Sequence, residues 1–268
     1  VTPFVGAMAG GMYDLSKKYF SHQKEIPDQS GKSALHQAII SGNDEAFEDV
    51  FYLYKLPIVR SWNPFQAAVS YNRLKYAFRL LPFYVGYSFE ATALTFAVKA
   101  KNQQIFDLLL RFEGGIQYGK YRQFALYAAC QLNSVDFIRK LQKYEDGLAN
   151  LYKMSAIFAA FQNPEALKLV LNDQFRDFGT SPLYSAIQTR MPQETIQILV
   201  ERFGNVVDKD GFTFLDEMIQ SKTVYEVQFK FAKYNLVRAW HLAKLQNYEY
   251  GMAYVQRLLG LQDQENFQ

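Results

Sequence analysis

Three histidines are the first residues in this sequence that could do metal or acid–base chemistry. His22, His36 and His241 lie in distant parts of the chain. No two of them have the i, i+4 spacing of an H-E-x-x-H pattern, which places two imidazoles on one helix face at a zinc ion. We therefore predict no metal site and no histidine-based catalysis.

One cysteine and a few pairs of carboxylates are the remaining candidates. Cys130 follows two alanines, and a free cysteine in an apolar helical run usually behaves as a small buried hydrophobe. A nucleophilic thiol needs a neighbouring base or a helix N-terminus that lowers its pKa. The acidic pairs Glu48-Asp49 and Asp216-Glu217 are too dispersed to suggest a general acid and base. The sequence thus predicts a chain that is not an enzyme and has no cofactor.

The composition is that of a folded, nearly neutral chain that is rich in aromatic residues. Hydrophobic residues make up 49% and charged residues 21%, with 23 Phe, 19 Tyr and a net charge of +3. No stretch approaches the roughly 20 apolar residues that span a bilayer. The small, unclustered positive charge argues against a nucleic-acid surface. The single cysteine allows no internal disulfide and favours a reducing, intracellular and cytoplasmic location.

One short pattern recurs along the whole chain. In its clearest copy, residues 28–42, Ser33 can cap a helix that carries Leu35 and Ala38 on one face. Each copy has an apolar anchor at the position of Leu35, and successive anchors are 25 to 32 residues apart. A period of this length indicates stacked supersecondary units. The nine anchors are Phe4, Leu35, Phe65, Leu94, Leu126, Ile157, Leu183, Leu215 and Trp240.

This pattern resembles the ankyrin repeat, whose signature runs D-x-x-G-x-T-P-L-H-x-A-x-x-x-G. The outright matches are Asp28, Gly31, Leu35, His36, Ala38 and Gly42. The resemblance implies an all-α fold of helix-pair repeats with short or trimmed hairpin loops, an ankyrin-repeat solenoid of about nine degenerate repeats. It also implies that His36 and His241 bond the backbone between neighbouring repeats. The alternative fold is another helix-pair solenoid, such as a tetratricopeptide-like array.

The repeats are shorter than the family's period of about 33 residues. Because a second apolar segment still follows the anchors, we expect the missing residues to come from the hairpin fingers, above all before Leu183 and Trp240. The family's central alanine recurs in every copy except the eighth, where Met218 puts close helix packing in doubt. We expect residues 1–268 to form a single ankyrin-repeat domain of a larger protein, capped by a last helix at about 248–259.

Aromatic residues recur at positions that the resemblance assigns to partner binding. In the ankyrin family these positions lie one, two and four residues after the leading aspartate and at the end of the inner helix. Four consecutive copies carry an aromatic residue at the second position, and such residues dominate interface hot spots. The alternative is that shortened fingers fold these rings into the core. The predicted partner-contacting residues are Arg60, Trp62, Tyr71, Phe89, Tyr121, Tyr152, Met154, Phe178 and Phe212.

Two functions agree with these observations. The first is a monomeric protein-interaction scaffold that binds a protein or peptide on the concave face of the repeat stack. The second is a targeting or substrate-recruiting module of a larger enzyme, or of a secreted bacterial effector, whose catalytic domain lies outside this chain. The style of the repeats also resembles ankyrin modules that intracellular bacteria deliver into host cells, where the location would be the host cytoplasm.

Overall fold

The computed structural model describes residues 3–19, 32–51, 63–85, 91–119, 121–171, 181–207 and 211–265. Within these ranges the chain contains 17 α-helices, no β-strand and one isolated antiparallel bridge, between Tyr118 and Gln123. No helix in the described ranges is long and apolar enough to cross a membrane. The chain divides into two compact units, Val1–Tyr152 and Lys153–Gln268.

The first unit is a succession of five helix pairs. Each pair has an inner helix, which carries the anchor, and an outer helix that follows a short turn. Each inner helix packs against the next inner helix and against the outer helix of its own repeat. The helices are α1 (Pro3–Ala9), α2 (Tyr13–Lys17), α3 (Ala34–Ser41), α4 (Asp44–Phe51), α5 (Pro64–Ser70), α6 (Leu74–Tyr84), α7 (Ala93–Lys99), α8 (Gln103–Glu113), α9 (Ala125–Gln131) and α10 (Val135–Glu145).

The second unit continues the same plan with one departure. Its eighth repeat has an inner helix but no outer helix, because residues 223–232, which follow the turn, are not helical. The last helix is longer than the expected cap at 248–259. The helices are α11 (Ala156–Ala159), α12 (Pro164–Val170), α13 (Pro182–Gln188), α14 (Gln193–Phe203), α15 (Phe214–Gln220), α16 (Lys233–Leu245) and α17 (Glu249–Glu265).

The turn inside the repeats has one backbone conformation in eight of the nine copies. The residue seven positions after the anchor is left-handed, with φ between +49° and +73°. The sixth copy has Pro164 at this position, and the proline ring fixes φ near −65°, so its turn differs. This regularity confirms the nine anchors and the all-α fold of ankyrin-type helix-pair repeats. The left-handed residues are Gly11, Gly42, Asn72, Lys101, Asn133, Arg190, Lys222 and Asn247.

A small residue three positions after each anchor lets the inner helices approach closely. It is alanine in eight copies, from Ala7 to Ala243, and it is at most 4% exposed in each of them. Met218 in the eighth copy is also fully buried, and its sulfur accepts a hydrogen bond from the backbone N–H of Tyr225. The longer Met218 side chain is thus accommodated against the segment that follows its own helix.

The inner helices begin in buried surroundings, so side chains accept hydrogen bonds from their first backbone N–H groups. Asn63 Oδ1 accepts from Gln66 N at 2.8 Å, and Gln66 Oε1 accepts from Asn63 N at 3.2 Å. The Gln66 amide also donates to Ala91 O, 2.6 Å away, at the start of the next repeat. His36 Nδ1 accepts from Ser33 N at 3.0 Å. The residue at the family's histidine position therefore caps its own helix. Where that residue is Gln66, it also bonds the next repeat.

The short spacing between Leu215 and Trp240 does not come from a trimmed hairpin, so this part of our expectation was wrong. The whole outer helix is replaced by residues 223–232, which run on from the turn as an extended segment. From residue 225 to 232, odd-numbered side chains are buried or half-buried and even-numbered ones are exposed, which is the period of two of an extended chain. The other expected trimmed hairpin, before Leu183, falls largely outside the described residues.

Side-chain amides of α14 hold this extended segment in place. Gln197 Nε2 donates to Gln228 O, and Gln197 Oε1 accepts from Gln228 N, both at 2.9 Å. Gln193 Nε2 donates to Glu226 O in the same way. These bonds satisfy backbone groups that an outer helix would have bonded internally.

We predict that Gly42→Ala destabilises the first unit by about 1 to 3 kcal/mol. Gly42 has a φ of +73°, a conformation that costs a residue with a Cβ roughly 1 kcal/mol or more. A Cβ there would also lie 2.8 Å from Cζ of Arg73, whose guanidinium donates to Ile40 O at 3.0 Å. Urea denaturation followed by far-UV circular dichroism measures the loss.

Gly260→Ala is the matched control, because a Cβ at Gly260 meets no atom within 4 Å. This glycine lies within helix α17, where alanine is favoured over glycine by about 1 kcal/mol. The same substitution should therefore leave stability unchanged or raise it. Equal losses for the two variants would contradict the role of Gly42 in the turn.

Candidate functional site

The structure describes five of the nine residues that the sequence predicts to contact a partner. The described residues are Tyr71, Tyr121, Tyr152, Met154 and Phe212. The other four lie outside the described residues and remain predictions: Arg60, Trp62, Phe89 and Phe178.

Tyr121 lies at the tip of a short hairpin, the first finger, which joins α8 to α9. Tyr118 N donates to Gln123 O at 3.1 Å, and Gln123 N donates to Tyr118 O at 3.0 Å. The loop between them reverses through two left-handed residues, Gly119 with a φ of +78° and Arg122 with a φ of +50°. A tight loop of this kind presents its side chains to solvent.

Tyr152 lies on the second finger, the segment that follows α10, and its ring stacks on Tyr121. The ring centroids are 6.0 Å apart and the ring planes differ by 22°. Leu151 N donates to Tyr121 O at 3.0 Å, and Gln117 Nε2 donates to Ala149 O at 2.6 Å. The two fingers are thus bonded side by side, and this contact aligns the rings. Both rings are exposed, Tyr121 to 42% and Tyr152 to 65%.

Two buried carboxylates fix the base of the first finger. Glu113 ends α8, and its Oε2 accepts from Leu94 N at 2.7 Å. Glu145 ends α10, and its Oε2 accepts from Leu126 N at 2.6 Å while its Oε1 accepts from Gly115 N at 3.4 Å. Both glutamates are 1% exposed. Glu145 therefore ties the start of α9 to the residue from which the first finger departs.

Burial raises the pKa of Glu145 to about 7, although its hydrogen bonds from the backbone of Leu126 and Gly115 oppose this rise. The charged carboxylate loses more by leaving water than these bonds return. Glu113 and Glu145 were missed by the sequence analysis. The one signal that could have found them is their shared position, 19 residues after the anchors Leu94 and Leu126.

Tyr71 lies at the other end of its repeat from the fingers. It is the C-cap residue of α5 and is 44% exposed. The fingers join the N-terminal ends of the inner helices, and α5 has 7 residues, about 10 Å of helix. Tyr71 is therefore not brought together with the stacked tyrosines.

Met154 and Phe212 belong to the second unit, where each lies directly before the N-cap residue of an inner helix. Both are half-buried. The Arg238 guanidinium lies over the Phe212 ring, 5.6 Å from its centroid. Packing within the unit thus occupies one face of the Phe212 ring. Phe212 therefore offers a partner less surface than Tyr121 or Tyr152.

The surroundings of the residues considered for catalysis do not favour a catalytic role. Cys130 is fully buried, and burial raises the pKa of its thiol to about 12, so the reactive thiolate is not formed near neutral pH. His36 is buried at its helix cap, His241 is exposed in the other unit, and His22 lies outside the described residues. The described residues contain no cluster of His, Cys, Asp or Glu that could hold a metal ion.

The stacked tyrosines are suited to binding, not to reaction. Each offers a flat apolar ring, a hydroxyl that can donate or accept, and few side-chain torsions to immobilise. Arg122 is exposed beside them on the first finger. Tyr, Trp and Arg are the residues whose truncation most often weakens protein interfaces.

Comparisons with known proteins add similarities of fold. No protein-family model and no curated protein matches the sequence. The crystal structure of the human ASB11 ankyrin repeat domain has 18% identity and a TM-score of 0.49, covering 81% of this chain and 91% of that chain. The ankyrin repeat domain of Bcl-3, described as a unique member of the IkappaB protein family, has 16% identity and a TM-score of 0.49, covering 80% and 92%.

We predict that Glu145→Gln removes a pH dependence of stability. Because the folded pKa of Glu145 lies above the unfolded value, the folded state keeps a proton that the unfolded chain releases. Its contribution to stability is complete below pH 4.5 and is lost as the pH rises through about 7. Between about pH 5 and pH 8, the free energy of unfolding should fall by about 2 kcal/mol more in the wild type than in the variant. A constant difference between the two proteins in urea denaturation would contradict this assignment.

Proposed function

We propose that this chain is a protein-binding module whose partner contacts the fingertip pair, Tyr121 and Tyr152. The observation that carries the proposal is the stacking of these two exposed rings at equivalent positions of neighbouring repeats. Large exposed aromatic side chains are costly to leave in water unless a partner covers them. A protein or peptide that covers both rings buries apolar surface at little cost in side-chain entropy.

The backbone of the fingers supports this role because it holds the pair before any partner arrives. The bond from Leu151 N to Tyr121 O and the hairpin closed by Tyr118 and Gln123 restrain both tips. Preorganised anchors bind more tightly than mobile ones because less conformational entropy is lost on binding. Phe89 and Phe178, at the same repeat position but outside the described residues, remain predicted partner contacts.

The alternative function, a recruiting module of a larger enzyme or secreted effector, would use the same surface. It differs in what is attached to the chain, not in how the fingers bind. An intracellular location, a monomeric state and the absence of nucleic-acid binding remain predictions.

We predict that Tyr121→Ala and Tyr152→Ala each weaken partner binding by about 1 to 4 kcal/mol. The partner is first identified by placing a photo-crosslinking benzoyl-phenylalanine at position 121 or 152 and exposing the purified chain to a lysate of the source cells. Affinities of the identified partner for the wild type and variants are then measured by biolayer interferometry. Since both rings are exposed, the free energy of unfolding should change by no more than about 0.5 kcal/mol.

Tyr234→Ala is the control, because Tyr234 is 74% exposed and lies on helix α16, outside both fingers. This variant should bind the partner as the wild type does. Two outcomes would overturn the proposal. One is a large fall in melting temperature for both fingertip variants, and the other is equal binding by the wild type, the fingertip variants and the control.

A further inference from the structure

The turns of the second unit repeat a short motif, a glutamine followed two residues later by a cation. Gln188 precedes Arg190 in the seventh repeat, and Gln220 precedes Lys222 in the eighth. These residues lie five and seven positions after their anchors, and all four side chains are exposed. We call these four residues the turn edge.

Helix packing places the two copies of the motif side by side. Helix α13 packs against α15, and packed helices are about 8 to 10 Å apart. Arg190 and Lys222 have nearly the same backbone, with φ of +53° and +52°. The two cations are therefore presented in the same way, separated by about one inter-helix distance.

The turn edge is positively charged and has no acidic residue in its own sequence. Residues 184–193 and 218–225 contain no Asp or Glu. Of the carboxylates next to these residues in sequence, Glu217 is buried, Glu194 pairs with Lys168 at 3.8 Å, and Glu226 pairs with Arg257. An acidic ligand would thus meet attraction from both cations without a competing carboxylate on the same turns.

The same unit already uses glutamine amides to hold an extended backbone. Gln193 and Gln197, one helical turn apart, bond the main chain at Glu226 and Gln228. An amide can donate and accept at once, which suits peptide groups that lack internal hydrogen bonds. Gln188 and Gln220 offer the same groups to solvent.

We propose that the turn edge binds an acidic segment of a partner protein in the polyproline II conformation. This conformation has three residues per turn and rises 3.1 Å per residue, so equivalent residues recur about every 9 Å. That repeat matches the separation of neighbouring turns. Carboxylates at every third residue contact Arg190 and Lys222 in succession, and the glutamine amides bond the exposed backbone carbonyls between them.

This surface is distinct from the fingertip pair, and either can fail without the other. The direct test uses the full chain and a fluorescein-labelled peptide of four Pro-Pro-Glu triplets, with binding followed by fluorescence anisotropy at low salt. Saturable binding that weakens as salt is added is expected. A block peptide of the same eight prolines and four glutamates, with the glutamates together at one end, should bind about threefold more weakly, because only the triplet peptide has the matching period.

The double variant Arg190→Asn/Lys222→Asn should lower the affinity for the triplet peptide about tenfold, since two exposed charge contacts are lost. Asn adopts left-handed backbone more readily than Arg or Lys, and native Asn occupies this position in three other repeats, so the variant keeps its fold. Gln188→Met/Gln220→Met removes only the amides and should weaken binding about threefold. Arg111→Gln/Arg139→Gln makes the same change in net charge at exposed positions of the outer helices α8 and α10 and should have no effect.

Three results would overturn the proposal. The first is that the triplet peptide does not bind saturably. The second is that the outer-helix variant lowers the affinity for the triplet peptide as much as the turn-edge variant does. The third is that the block peptide binds as tightly as the triplet peptide. A twelve-nucleotide oligo(dT) is measured in parallel. If it binds more tightly than the triplet peptide, and the Asn variant abolishes that binding, the turn edge is a nucleic-acid site and the proposal is wrong.

Discussion

The buried starts of the inner helices are the constraint on which the rest of this structure depends. The first backbone N–H groups of a helix have no partner within it, and leaving one buried and unbonded costs roughly 1 to 3 kcal/mol. This chain supplies an acceptor at several of these starts, by a local cap such as Asn63 or Thr213, or by a carboxylate from the end of an outer helix, as Glu113 and Glu145 do. These bonds remove much of the cost of burying the helix starts when the repeats stack.

The same bonds connect the core to the surface that we propose to be functional. Glu145 bonds both the start of an inner helix and Gly115, from which the first finger departs. The tip of this finger presents Tyr121 to solvent, with its ring stacked on Tyr152. At the opposite end of the repeats, a left-handed residue makes the turn in eight of the nine copies, and both Arg190 and Lys222 are exposed there. Turn residues such as Arg190 and Lys222 are therefore available for binding.

Much of the fold could be predicted from the sequence because its strongest signals are periodic. The anchors, the buried alanines and the turn residues recur at fixed offsets and need no tertiary knowledge. Glu113 and Glu145 share one offset from their anchors, but only in two repeats, and a glutamate at the end of an amphipathic helix ordinarily faces water, so their burial was not predicted. The missing outer helix was predictable in principle: Tyr225, Val227, Phe229 and Phe231 alternate with polar residues, as in an extended chain. We attributed the short repeat to a loop because the helix-pair template assumes two helices. The recurrence of an aromatic residue at one repeat position predicted that Tyr121 and Tyr152 lie at equivalent sites. Whether their rings lie in solvent or in the core depends on contact between the fingers and could not be predicted.

Amide hydrogen exchange at the starts of the inner helices tests the central claim most directly. Leu94 and Leu126 donate their backbone N–H groups to Glu113 and Glu145, so their amide protons should be protected as strongly as those in the middle of the same helices. Asp136, an exposed residue in the first turn of the outer helix α10, should exchange at least about 100-fold faster. If Leu94 and Leu126 exchange as fast as Asp136, the buried helix starts are not held by the glutamates and the account is wrong.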